Sequence, residues 1–107
     1  MNARIAQRLR IDEPALRAFC VRWQIVEFAV FGSILRDDFT RKSDIDVLVT
    51  FKPDHQWSVL DHLRMEAELR EIVGRDVQIV STRAIGENAN WLTRQTIAET
   101  AQRIYAA

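Results

Sequence analysis

Three short apolar runs constrain this chain more than anything else in it: "IVEFAVF" (25–31), "IDVLVTF" (45–51) and "VQIV" (77–80). Each is rich in β-branched or aromatic residues and too short for an ordinary helix, so each reads as a strand. The segments between them carry helical spacing instead. Ile5 and Leu9 share the inward face of a short amphipathic helix, with Arg4 and Arg8 outward. Asp12 can cap a second helix, with Pro14 in its first turn, that carries Leu16, Phe19, Cys20 and Trp23. Ser58 and Asp61 make a capping-box pattern ahead of a long helix bearing Leu60, Leu63, Ala67, Leu69, Ile72 and Val73, and Gly74 offers a left-handed stop. Asn90 can cap a last helix from Trp91 to Tyr105, with Ile97, Ala101, Ile104 and Tyr105 inward. This order predicts an α/β fold: a small mixed β-sheet of about three strands, covered by helices.

The second run raises a chemical question. Asp44 and Asp46 enter it with one isoleucine between them. Successive strand residues point to opposite faces, so the two carboxylates project to one side, ~7 Å apart at their backbones. Two ionised carboxylates so placed repel unless a counter-charge joins them. A divalent cation is the natural remedy, and hard oxygen ligands favour Mg²⁺ or Mn²⁺ completed by substrate phosphates. Two such ions, ~3.5–4 Å apart, form the clamp used in phosphoryl and nucleotidyl transfer.

Gly32 and Ser33 close the first strand and supply the other half of such a site. Glycine lets the backbone approach a phosphate without a Cβ in the way. Ser33 adds a hydroxyl where a short helix, 34–37, would begin and leave N–H groups facing an anion. Arg36 lies in the same turn. Taken singly, a Gly-Ser pair is most often a turn and an Asp-x-Asp pair a solvated edge. Together, with ten residues intervening between Ser33 and Asp44, they make one pattern.

That pattern resembles the minimal nucleotidyltransferase (MNT) domains of the DNA polymerase beta superfamily: Gly-Ser, an arginine three residues on, then Ser-Asp-Ile-Asp and an apolar strand. Here these positions are Gly32, Ser33, Arg36, Ser43, Asp44, Ile45 and Asp46. The likeness continues through "GRDVQIVSTRAI" to "AQRIYA" near the end, and so covers nearly the whole chain. It implies a nucleotidyltransferase fold and transfer of AMP from ATP to a hydroxyl. Asp44 and Asp46 would hold two Mg²⁺ ions, and Gly32 and Ser33 would grip the β- and γ-phosphates. It also implies a partner, commonly an all-helical HEPN toxin, which the MNT antitoxin neutralises by binding it or by adding AMP to a tyrosine. Transfer to a small molecule such as an aminoglycoside is a further reading, opposed by the lack of a second domain to hold the acceptor.

Two positions depart from the family pattern. The third carboxylate of fully active members aligns with Gln78, an amide that cannot accept a proton at neutral pH. Asp76, two residues earlier, could replace it only if the strand were bulged or shifted, and otherwise begins the strand in solvent. Asp37 stands where many relatives have glycine, and adds negative charge near the phosphate site.

Composition narrows the remaining choices. The 107 residues suit a single domain, 1–107, and equal counts of 15 basic and 15 acidic residues give no net charge. That opposes direct nucleic-acid binding through a global field, but leaves room for a local basic pocket that takes a phosphorylated small molecule. One cysteine, Cys20, excludes an internal disulfide and suits a reducing cytoplasm, and no apolar run reaches membrane-spanning length. His55 and His62 read as solvated side chains, Trp57 and Trp91 as packing at helix starts, and Tyr105 as helix-face packing.

Overall fold

The computed structural model describes residues 3–37, 39–40, 42–54, 56–82, 97 and 99–107. The three expected strands are present as β1 (Ile25–Phe31), β2 (Ile45–Phe51) and β3 (Val77–Ser81). A fourth, β4 (Gln102–Ala106), completes a sheet ordered β3-β2-β1-β4. β1 runs antiparallel to both β2 and β4, while β2 and β3 are parallel. Helices described from end to end are α1 (Ala3–Leu9), α2 (Glu13–Arg22) and α3 (Val59–Val73), and a 3₁₀ turn, Gly32–Leu35, follows β1. The sheet is thus mixed, as expected, but has four strands among the described residues.

Alternation along the strands sets the two faces. Phe28 and Val30 of β1, Ile45, Val47 and Val49 of β2, and Val77 and Ile79 of β3 are buried. They join Ile5 and Leu9 of α1, Leu16, Phe19 and Cys20 of α2, and Met65 and Leu69 of α3 in one core. Phe19 meets Phe28 edge to face at 6.5 Å between ring centroids. The intervening residues Asp46, Leu48 and Thr50 lie on the other face and are half-buried.

Local signals explain the boundaries. Ser58 and Asp61 form a complete capping box: Ser58 Oγ accepts from the Asp61 N–H at 3.1 Å, and Asp61 Oδ2 accepts from the Ser58 N–H at 3.0 Å. Gly74 ends α3 in the left-handed region, and its N–H donates to the Arg70 carbonyl. β3 lies at the edge of the sheet, and the Ile79 N–H donates to Glu66 Oε2 of α3 at 2.7 Å, which covers part of that edge.

Several expectations are corrected. The segment 102–106, read as the end of a helix, is instead β4. The outer edge of β1 needs backbone partners, and Ile104 and Tyr105 have the shapes that strands favour. Of the earlier part of that expected helix, residues 97, 99 and 100 are helical, and the Ala101 N–H donates to the Ile97 carbonyl at 2.8 Å; Asn90 and Trp91 lie outside the described residues. Asp12 precedes α2, but its side chain makes no capping bond, and only its carbonyl is used, by the Leu16 N–H. Leu60 and Leu63 of α3 are exposed, while the helix buries Leu69, as expected, together with Met65. Arg8 is half-buried rather than turned to water.

Candidate functional site

Antiparallel register places Asp46 of β2 directly opposite Phe31 of β1, so the next residue, Gly32, sits against it. Gly32 has φ +73°, a conformation L side chains rarely adopt. A Cβ there would also lie 2.4 Å from Asp46 Oδ2, a clash that requires something to shift, and a tight 3.3 Å from its Cγ. Two independent constraints therefore require glycine: the turn and the neighbouring carboxylate. The result is a bare stretch of backbone next to a half-buried carboxylate.

Asp44 and Asp46 enter the strand together, with the buried Ile45 and Val47 on the opposite face. Asp46 is half-buried, and Asp44 is exposed just ahead of β2. On the other side, the parallel register sets Asp46 opposite Gln78, so the position expected for a third carboxylate does adjoin the pair and holds an amide. Asp76 precedes β3; its backbone carbonyl accepts from the Ile45 N–H at 3.0 Å, and its exposed carboxylate pairs with Arg70 Nε of α3 at 3.2 Å. Asp76 is therefore tied to the helix rather than set beside Asp46 and Gln78.

The loop from the 3₁₀ turn to β2 is held by residues that sequence reasoning missed. Arg8 Nη1 donates to the carbonyls of Ile34 at 2.8 Å and Arg36 at 2.5 Å. Arg75 Nη1 donates to those of Thr40 at 3.3 Å and Ser43 at 3.4 Å. Both guanidinium groups also lie over the ring of Phe39. Ser43, expected near the nucleotide, braces this loop: its Oγ accepts from the Thr40 N–H at 3.0 Å and its own N–H donates to the Thr40 carbonyl at 3.1 Å. Arg36 is exposed at the far end of the same loop. Helical spacing marked Arg8 as a polar-face residue, but nothing local tied it or Arg75 to a loop about thirty residues away (|i−j| of 28 and 32).

The donor set decides what could bind. Among the described residues, no cluster of three or more His, Cys, Asp or Glu side chains could hold a metal by itself. Mg²⁺ commonly takes one or two carboxylates and completes its shell with water and substrate phosphates. Two aspartates beside bare glycine backbone fit a metal that arrives with a phosphorylated ligand. They do not fit an all-protein cage.

Other reactive groups have structural employment. Burial pushes the Cys20 thiol up to about 12, so it is no nucleophile at neutral pH. His62 lies on α3 with Nε2 3.8 Å from Glu66 Oε2. Trp57 packs against Trp23 at 5.2 Å between centroids and donates from Nε1 to the Trp23 carbonyl at 3.0 Å, as expected for a packed ring. His55 lies outside the described residues.

Residues 13–104 match the family model described as a nucleotidyltransferase domain. The chain belongs to that family. A candidate protein adenylyltransferase of Methanocaldococcus jannaschii is 37% identical over 57 residues, covering 53% of this chain and 59% of the relative. Another from the same organism is 30% identical over 64 residues, covering 60% of this chain and 64% of the relative. This nucleotidyltransferase chain thus matches less than two thirds of the length of either. A solved structure of a candidate minimal nucleotidyltransferase is 31% identical with a TM-score of 0.66, covering 92% of this chain and 90% of that one. A toxin–antitoxin structure with AMP-PNP shares the fold at a TM-score of 0.69 and 17% identity, covering 91% of this chain and 75% of that one. No helix among the described residues is long and apolar enough to cross a membrane.

Proposed function

We propose that this nucleotidyltransferase transfers AMP from ATP, with Mg²⁺, to a hydroxyl of a cognate HEPN-type helical toxin, a tyrosine by preference, and so acts as its antitoxin in the cytoplasm. The observation that carries this reading is the Gly32–Asp46 contact. A glycine whose replacement would strain the turn and displace Asp46 leaves backbone beside a carboxylate, as a metal-bound triphosphate requires. The relatives support it. Two are candidate protein adenylyltransferases, one fold neighbour was solved with AMP-PNP, and another, from Shewanella oneidensis, is a tri-AMPylated HEPN toxin in complex with an MNT antitoxin.

In this reading Asp44 and Asp46 hold the metal, as a two-ion clamp. Gly32 and Ser33 receive the β- and γ-phosphates, and Arg36 adds positive charge at the same turn. When bound, Mg²⁺ offsets charge on the triphosphate and on the oxygens that attack and leave. The braces at Thr40 and Ser43 fix the approach of Asp44, because a displaced carboxylate would lose the in-line geometry. Gln78 cannot take the acceptor's proton, so the proton leaves to an aspartate of the pair or to a group the partner brings.

Gln78 also favours a second reading, a chain that neutralises its partner by binding alone. The two separate on Asp46→Asn: binding alone leaves protection intact, whereas a catalytic antitoxin loses protection while the complex still forms. The direct test is mass analysis of the partner after incubation with the chain, ATP and Mg²⁺. An AMP adduct that disappears with Asp44→Asn is expected, and an unmodified partner would overturn the proposal.

A further inference from the structure

A cluster of positive charge lies against the loop that leads to Asp44. A cavity of about 680 Å³ opens between the end of α1, that loop and the turn from α3 to β3, and its walls include Arg8, Arg10, Arg75, Phe39 and Gly74. Gly32, Asp44 and Asp46 are not among its lining residues, so it is separate from the site described above. No described acidic residue lines it.

Arg8 and Arg75 are oriented, and among the described residues no carboxylate neutralises them. Arg8 and Arg75 stand 5.2 and 4.7 Å from the centroid of one ring, that of Phe39. Their hydrogen bonds to described residues all go from Nη1 to backbone carbonyls, which fix a guanidinium without cancelling its charge. Arg10 makes no side-chain hydrogen bond or ion pair with a described residue, and its backbone φ of 51° ends α1 at the cavity's edge. Two like charges on one ring, with a third at the rim, repel each other in the absence of an anion. A single carboxylate would leave most of that charge uncompensated. A multiply charged phosphate or pyrophosphate group matches it, and the planar guanidinium suits phosphate oxygens.

We propose that the Arg8–Arg10–Arg75 cavity is a second anion site, which takes a phosphate-bearing ligand independently of the Asp44–Asp46 pair. Its proximity to the carboxylates comes through the loop, because Arg75 grips the carbonyl of Ser43, the residue before Asp44.

The test is calorimetric titration of the full chain with inorganic pyrophosphate and, separately, with AMP, in EDTA so that no metal–phosphate complex forms at the aspartates. Saturable binding is expected, weakened about tenfold by Arg10→Ala and by Arg75→Gln, reduced by added salt, and unchanged in Asp46→Asn. Arg10→Ala keeps the test sound should Arg75→Gln loosen the loop. Whichever ligand binds more tightly identifies the source as free pyrophosphate or a nucleotide. No saturable binding of either, binding indifferent to both arginine substitutions, or binding lost in Asp46→Asn would each overturn the site. Because no transfer is measured, the outcome is separate from that of the proposed reaction.

Discussion

At the scale of single residues, Gly32 carries the most information. Gly32→Ala forces a Cβ to within 2.4 Å of Asp46 Oδ2 at φ +73°, so either the turn or the carboxylate must move. A displacement of about 1 Å at reacting groups costs on the order of 100-fold in rate, and transfer by Gly32→Ala should fall at least that far in a labelled-ATP assay. Gln78 is the opposite case, an amide beside Asp46 that, in the proposed reaction, would limit the site. It lies beside Asp46 across the β2–β3 register, so Gln78→Asp should place a carboxylate there and raise transfer, whereas an unchanged rate would mean that an aspartate of the pair or a group of the partner already serves as base. Cys20 gives a pH prediction of definite sign. Burial raises its pKa from 9.0 to about 12, so above pH 9 the folded chain keeps a proton that the unfolded chain releases. Its contribution to stability is whole below pH 9 and is lost as the pH climbs toward 12. Denaturant midpoints across that range should fall more steeply in the native chain than in Cys20→Ala, and alkylation at pH 8.5 should leave the folded thiol unmodified.

Elements show what the sequence exposes and what it conceals. β1 and β2 carry the residues that β-branching and alternation marked, and their pairing alone brings Gly32 to Asp46. The capping box on α3 was equally legible, because four consecutive residues suffice to build it. Ser58→Ala removes the Oγ that accepts the Asp61 N–H, and loss of such a cap costs about 1 kcal/mol, readable as a lower denaturation midpoint. Hydrogen bonds from Ser58 hold the Asp61 carboxyl below its ordinary range, so the native chain's advantage over Ser58→Ala shrinks as the pH falls through that group's folded pKa. β4 was hidden for a physical reason: "QRIYA" has no strand character beyond Ile104 and Tyr105, and only the open edge of β1 makes it one. Arg8 and Arg75 were hidden likewise, since their value lies in carbonyls far along the chain.

For the whole molecule, a sheet with α1, α2 and α3 packed into its core leaves Asp46 and Gln78 on the other face, at the end where β1 stops and β2 begins. Family membership and the neighbours' fold agree with that layout, and the position of the two aspartates was readable because strand alternation needs no tertiary knowledge. Which group accepts the proton was not readable, since it depends on what stands across the strand and on the partner. The chain's neutral balance of charge conceals two local clusters of opposite sign, the aspartate pair and the arginine cavity, linked by one loop. The decisive measurement is the rate at which label from α-labelled ATP reaches the helical partner with Mg²⁺ present, for the native chain and for Asp46→Asn. Labelling by the native chain and a loss of at least about 100-fold in Asp46→Asn is the expected result, and equal labelling by the two, or none by either, would contradict a catalytic cradle at Gly32 and Asp46.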